Sequence, residues 1–371
     1  MKIPFGQFGF LLYFLLATTL LGTANSAKSC GYQKECVPRH LCNDGKMITD
    51  GKFIIQYREI LNSSDIALGC YWLEKCCSIF DKLENVKKKS YSYQGCGYRN
   101  PEGVQVTLKN TMKSESQFGE FPWMVRILAS QYPAVNSSGG SLLSPKVVLT
   151  TAHYVIWTAA RNLKVIAGEW DTKIDIEILP HEERAVERKI VHDSFNRESG
   201  YYDIALLILT TPFNLAEHIG TICLPYPAFD FTNKRCFVTG WGKRNWEDMD
   251  YPHILKKVDL PFVSRTECQK QLRKTRLGEY FNLHESFVCA GGEKDNDACV
   301  GDGGAPLVCP IENNSNRYML AGMVSWGLQC GTENVAGVYT NIQFLRGWIE
   351  QQLRLYSIPN SYYTIDSPSI K

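Results

Sequence analysis

The sequence has no dominant charge: 40 Lys and Arg face 38 Asp and Glu, a formal net charge of +2 over 371 residues. This excludes a sustained basic surface for nucleic acid and an acidic tail as organising features. Beyond the N-terminal segment no apolar run reaches the roughly 20 residues of a bilayer span, so no membrane span is expected there. There is no Cys-x-x-Cys pair and no His-Glu-x-x-His, which removes the spacing signatures of zinc. No metal and no cofactor are expected.

What is present begins with MKIPFGQFGFLLYFLLATTLLGTANSA: Lys2, an apolar run from Phe10 to Leu21, then the small residues Ala24, Ser26 and Ala27. This is the pattern of a secretory signal peptide, residues 1–26, and the apolar run is short for the alternative of a membrane anchor. Secretion changes the reading of the 14 cysteines, because an oxidising compartment turns an even count into a disulfide framework.

Six of them crowd residues 30–77: Cys30, Cys36, Cys42, Cys70, Cys76 and Cys77. A segment so poor in large aliphatics needs bridges, each contributing about 2–4 kcal/mol, but spacing leaves about 15 pairings open. Residues 78–114, with the solvated run Lys87 to Lys89, read as a linker. From about residue 115 short apolar segments alternate with turn residues: PWMVRIL, SLLSPKVVLTT, LKVIAGEW, DIALLIL, CFVTGWG, MLAGMVSWG and AGVYTNI. That rhythm predicts an all-β barrel or sandwich. FLRGWIEQQLRLY, 344–356, reads as a helix with Phe344, Leu345, Trp348, Ile349 and Leu353 on one face, and 357–371 as a loose tail.

TTAHYV, DIALLIL, VTGWG, GDGGAP and SWGLQCG occur in this order at suitable separations. Residues 115–356 therefore resemble the trypsin-like serine proteases, which implies two packed six-stranded β-barrels with a cleft between them. The cysteine cluster at 30–77 is similar to an arthropod CLIP domain. The combination resembles clip-domain serine protease homologs of the phenoloxidase-activating-factor and masquerade types. That resemblance implies the pairs Cys30 with Cys76, Cys36 with Cys70, Cys42 with Cys77, Cys96 with Cys223, Cys236 with Cys309, Cys268 with Cys289, and Cys299 with Cys330. The family's histidine-loop bridge is missing, since Tyr154 and Ser138 stand where its cysteines would be.

In the serine triad an aspartate orients a histidine, which takes the serine proton while backbone N–H groups hold the oxyanion. The resemblance assigns His153 and Asp203 to base and orienter, and Gly303 to the nucleophile position. With no hydroxyl there, turnover is expected to fall by about 10⁶-fold. Ser325, in SWG, is implied to support the aspartate and does not replace the nucleophile. Gly301 and Gly303 mark the oxyanion remnant. A second loss is independent: active relatives are cut before a segment like IVGG, whose new ammonium inserts beside an aspartate, here Asp302. The window LKNTMKSESQFGEFPW has no such segment.

Asp297, Gly327 and Gly337 match a specificity pocket for a basic side chain. Either binding is retained or the pocket is an inherited remnant, collapsed for want of activation. Three sequons, at Asn62, Asn136 and Asn313, are glycosylation candidates. The long loop between Cys42 and Cys70 carries Lys52 and Arg58 as candidate cleavage sites. The resemblance implies a catalytically inactive cofactor or scaffold in an extracellular cascade, with prophenoloxidase and an upstream clip-domain protease as partners and self-association left open. The alternatives are a trypsin-like endopeptidase and a masquerade-type adhesion protein.

Overall fold

Apolar segments broken by Gly, Pro and Asn curl into sheets whose edges find each other, and here they close twice. The computed structural model describes residues 28–38, 53–56, 68–70, 74–78, 91–109, 112–129, 137–173, 177–312 and 316–365. The first barrel consists of β6 (Met124–Ala129), β7 (Ser137–Ser144), β8 (Val147–Thr150), β9 (Leu163–Ala167), β10 (Glu182–Val191) and β11 (Ala205–Leu209). They close in the order β10-β11-β8-β7-β6-β9. The second consists of β12 (Arg235–Gly240), β13 (Lys256–Val263), β14 (Phe287–Gly291), β15 (Pro306–Pro310), β16 (Tyr318–Trp326) and β17 (Ala336–Asn341). Its order is β12-β13-β14-β17-β16-β15. Closure removes the sheet edges that would invite aggregation. The expected all-β double barrel is therefore present.

Each barrel has its own apolar interior. Val125, Ile127, Leu142, Val148 and Leu207 fill the first, and Val238, Leu260, Leu307, Met319 and Tyr339 the second. A further cluster with Trp123, Leu143, Trp170, Ile204, Leu320 and Met323 draws on both. The barrels also meet backbone to backbone: the Gly139 N–H donates to the Gly303 carbonyl at 3.0 Å. A Cβ on Gly139 would come within 2.6 Å of Ala305 Cα, so this seam requires glycine.

Three helices complete the described elements used here: α1 (Ala152–Val155), α2 (Arg265–Arg273) and α3 (Ile342–Leu355). Asn341 caps α3 by accepting from the Phe344 N–H. The buried stripe is Ile342, Leu345, Ile349 and Leu353, a spacing of three and four residues. Phe344, expected on that face, is 43% exposed, and Trp348 only flanks the core. One residue is a 100° step, which carries Phe344 off the stripe.

The clip region contributes a three-stranded sheet, β1 (Ser29–Gly31), β2 (Lys34–Pro38) and β4 (Glu74–Ser78), in the order β1-β2-β4. The described disulfides are Cys30–Cys76, Cys36–Cys70, Cys96–Cys223, Cys236–Cys309, Cys268–Cys289 and Cys299–Cys330, each a pair that the resemblance implies. Cys77 is also bridged, and Cys42 lies outside the described residues. β3 (Phe53–Gln56) pairs in parallel with β5 (Val106–Lys109), inside the stretch expected to be linker.

The expected loose tail is corrected in part. The Leu224 N–H donates to the Tyr363 carbonyl at 2.8 Å, Thr221 Oγ1 donates to the Tyr362 carbonyl at 2.6 Å, and Tyr363 is buried. Tyrosines in SIPNSYY anchor residues 357–365 to the barrels by burying rings whose backbone partners lie far away in sequence. Among the described residues no helix is long and apolar enough to cross a membrane.

Candidate functional site

Four chain segments converge on the cleft. The short α1 follows β8 and carries His153. Asp203 lies two residues before β11, behind Tyr202, whose φ of 56° is a left-handed value for a non-glycine residue. Ser325 lies in β16, and Gly303 in the turn before β15.

His153 Nδ1 and Asp203 Oδ2 are 2.7 Å apart, and the His153 backbone N–H donates to Asp203 Oδ1 at 2.8 Å. Ser325 Oγ donates to the same Oδ2 at 2.6 Å, and Thr340 Oγ1 to the Asp203 carbonyl at 2.7 Å. Asp203 is buried and fully partnered, as a buried carboxylate must be. Ser325 is thus engaged by the aspartate, as the resemblance implies.

On the other side of the imidazole stands Gly303. A Cβ built there would be 3.4 Å from His153 Nε2, an ordinary contact, and its φ is not left-handed. Neither space nor backbone demands glycine at this position. Its neighbours differ. Gly301 has φ +98° and Gly304 φ +75°, and a Cβ on Gly304 would lie 2.5 Å from both the Gly139 carbonyl and Thr150 Oγ1. The Gly301 and Gly303 N–H groups donate to no described acceptor, while Gly304 N–H donates to the Val324 carbonyl at 2.9 Å. Unengaged backbone donors on one turn are the kind of groups an oxyanion site uses.

Beside this turn is a cavity of about 260 Å³, lined among others by His153, Gly303, Trp326, Gly327, Asp297 and Tyr339. Asp297 Oδ2 accepts from the Gly331 N–H at 3.2 Å, but Oδ1 has no partner, and neither has the Tyr339 hydroxyl. Burial pushes the Asp297 carboxyl up to about 6. Gly337 leaves room for that carboxylate, since a Cβ there would sit 3.2 Å from Oδ1. Nothing lies within 4 Å of a Cβ on Gly327.

Sequence reasoning missed a second group. Between β9 and β10, Glu169, Glu177 and His181 each offer one ligand atom, all within 4.8 Å of one another. Burial and the neighbouring Glu169 raise Glu177 to about 9, while its Oε1 accepts from the Trp170 and Asp171 N–H groups. These are the residues best suited to hold a cation among those described; the other close sets comprise cysteines already in disulfides. No local motif announces them, because residues up to 12 positions apart must be folded together first. The candidates Asn62, Asn136, Asn313, Lys52 and Arg58 lie outside the described residues.

The Trypsin family model matches residues 111–349, and the model described as Serine protease Clip domain PPAF-2 matches residues 23–78. Phenoloxidase-activating factor 2 of Galleria mellonella is 46% identical over 283 residues, covering 73% of this chain and 92% of that protein. Inactive CLIP domain-containing serine protease A8 of Anopheles gambiae is 37% identical over 326 residues, 85% and 87% of the two chains. Inactive CLIP domain-containing serine protease A28 of the same organism is 35% identical over 341 residues, 86% and 88%.

Proposed function

The chain belongs to the clip-domain serine protease homologs of the trypsin family, and on that premise we propose that it is a secreted, non-catalytic cofactor or scaffold in an extracellular protease cascade. One observation carries this reading: His153 is oriented by Asp203 and faces Gly303, which has no atom to deprotonate. Base, orienter and free N–H groups without a nucleophile cannot form an acyl-enzyme. The names of the two mosquito relatives, both inactive serine proteases, support the same conclusion.

Function then rests on surfaces. The cleft has a buried carboxylate, Asp297, with one unpartnered oxygen, which suits a guanidinium or ammonium group held without being cut. The likeness to a phenoloxidase-activating factor directs the choice of cascade to prophenoloxidase activation, with prophenoloxidase and its activating protease as partners and melanisation in innate immunity as the outcome. Cleavage by an upstream clip-domain protease in the loop with Lys52 and Arg58 fits the absence of an IVGG-like segment near residue 111.

The test is reconstitution. The purified chain, uncut or pre-treated with a trypsin-like protease, is added to prophenoloxidase and its activating protease, and phenoloxidase activity is followed. Enhancement over the control without it, and no peptide hydrolysis by the chain alone, is the expected result. No effect on phenoloxidase, with binding to cells or matrix instead, replaces the cascade role with adhesion.

A further inference from the structure

Lys256 opens β13 and points inward. It is 2% exposed, and Asp302, immediately before Gly303, is 0% exposed. Lys256 Nζ donates to Asp302 Oδ2 at 2.6 Å and to the Lys243 carbonyl at 2.7 Å. The Gly242 N–H donates to Asp302 Oδ1 at 2.8 Å, and the Cys299 N–H to Oδ2 at 2.9 Å. A Cβ on Gly240 would come within 2.3 Å of Oδ1, and one on Gly242 within 2.5 Å of Cγ, so the glycines of VTGWG form a cradle for this carboxylate.

A buried carboxylate without a cation is strongly unfavourable, and so is a buried ammonium without an anion. The pair therefore locks the Asp302 side chain inward. Because Asp302 sits between Gly301 and Gly303, its inward position fixes the turn that presents the two free N–H groups and walls the Asp297 pocket. The cation comes from within β13. The segment before the barrels stays paired to that strand: Ser116 N–H donates to the Leu255 carbonyl at 2.9 Å, Lys257 N–H to the Ser114 carbonyl at 2.8 Å, and Glu115 bridges to Lys256.

We infer that Lys256 is a built-in replacement for the ammonium that cleavage supplies in active relatives, so that the turn 299–304 and its pocket are assembled in the chain without a cut. Lys256 is a positioning residue and touches no ligand. The inference is independent of the cascade role, and its test uses no cascade component.

The uncut full chain is compared by backbone amide exchange and mass spectrometry as wild type, Lys256→Met and Lys256→Arg. Loss of the local lock is expected to raise exchange across 297–304 by about tenfold in Lys256→Met, with first-barrel peptides unchanged and Lys256→Arg largely restored. A parallel arm restores the nucleophile. Gly303→Ser in the uncut chain reacts with a fluorophosphonate, and adding Lys256→Met slows labelling by about a hundredfold, the scale of a lost oxyanion donor. Unchanged exchange in Lys256→Met overturns the inference. So does Gly303→Ser that reacts only after the chain is cut. Should Lys256→Met unfold the first barrel as well, the uncut and cut Gly303→Ser samples decide alone.

Discussion

The two sides of the Gly303 turn have diverged. Toward the first barrel, His153, Asp203 and Ser325 keep a complete hydrogen-bond chain that ends at a residue with no side chain. Toward the second barrel, the Asp302 carboxylate accepts from three donors, the Gly242 and Cys299 N–H groups and the buried Lys256 ammonium. One side has the geometry of catalysis without its reagent, and the other has the geometry of activation without its cut. The difference separates two properties that active proteases couple. A cleft can be held in shape for binding while chemistry is absent, because shape depends on the buried ion pair and chemistry on one hydroxyl.

The sharpest way to break the comparison is to remove one anion from each side. Asp302→Ala leaves Lys256 buried and unpaired, and is expected to destabilise by about 3–5 kcal/mol. Asp203→Ala loses the partly exposed partners His153 and Ser325 and is expected to lose about 1–2 kcal/mol. Calorimetry should show a Tm drop of roughly 10 °C for the first and a few degrees for the second. Equal drops would remove the asymmetry.

A smaller effect separates the neighbouring glycines. Gly303→Ala meets only ordinary van der Waals contacts, with His153 and Tyr154, at an ordinary φ and should stabilise by about 0.4–1 kcal/mol. Gly304→Ala is strained by its φ and meets backbone at 2.5 Å, so it should destabilise by more than about 1 kcal/mol. Urea titration of both variants checks the pair.

The pocket adds a pH dependence. The Asp297 carboxyl is raised from 3.8 to about 6 by burial, so the folded chain holds its proton longer than the unfolded chain. The associated stability is fully present below pH 3.8 and is lost as pH rises through about 6. A cationic probe needs the ionised form. Benzamidine affinity should rise about tenfold per pH unit up to the carboxyl's pKa, then level off, and Asp297→Asn should abolish the dependence.

Much of the fold was legible because barrels are built from local runs: PWMVRIL, VVLT, DIALLIL and AGVYTNI all mark strands seen in the structure. His153 and Asp203 were legible through short flanking motifs. Lys256 was not. In ILKKVDL its charge reads as a solvent-facing position of an alternating strand, and only the arrival of Asp302, 46 residues later, makes it an interior residue. Glu169, Glu177 and His181 escaped for the same reason, and so did Tyr363, whose burial depends on Leu224 and Thr221. Phe344 shows the limit of periodicity itself, since one step along a helix decides between core and solvent.

The most direct measurement takes one sample of the wild-type chain, uncut and then cut, and records benzamidine binding and fluorophosphonate labelling together. The account predicts saturable benzamidine binding in the uncut chain and no labelling in either form. Stoichiometric labelling, at Ser325 or any other serine, would contradict it.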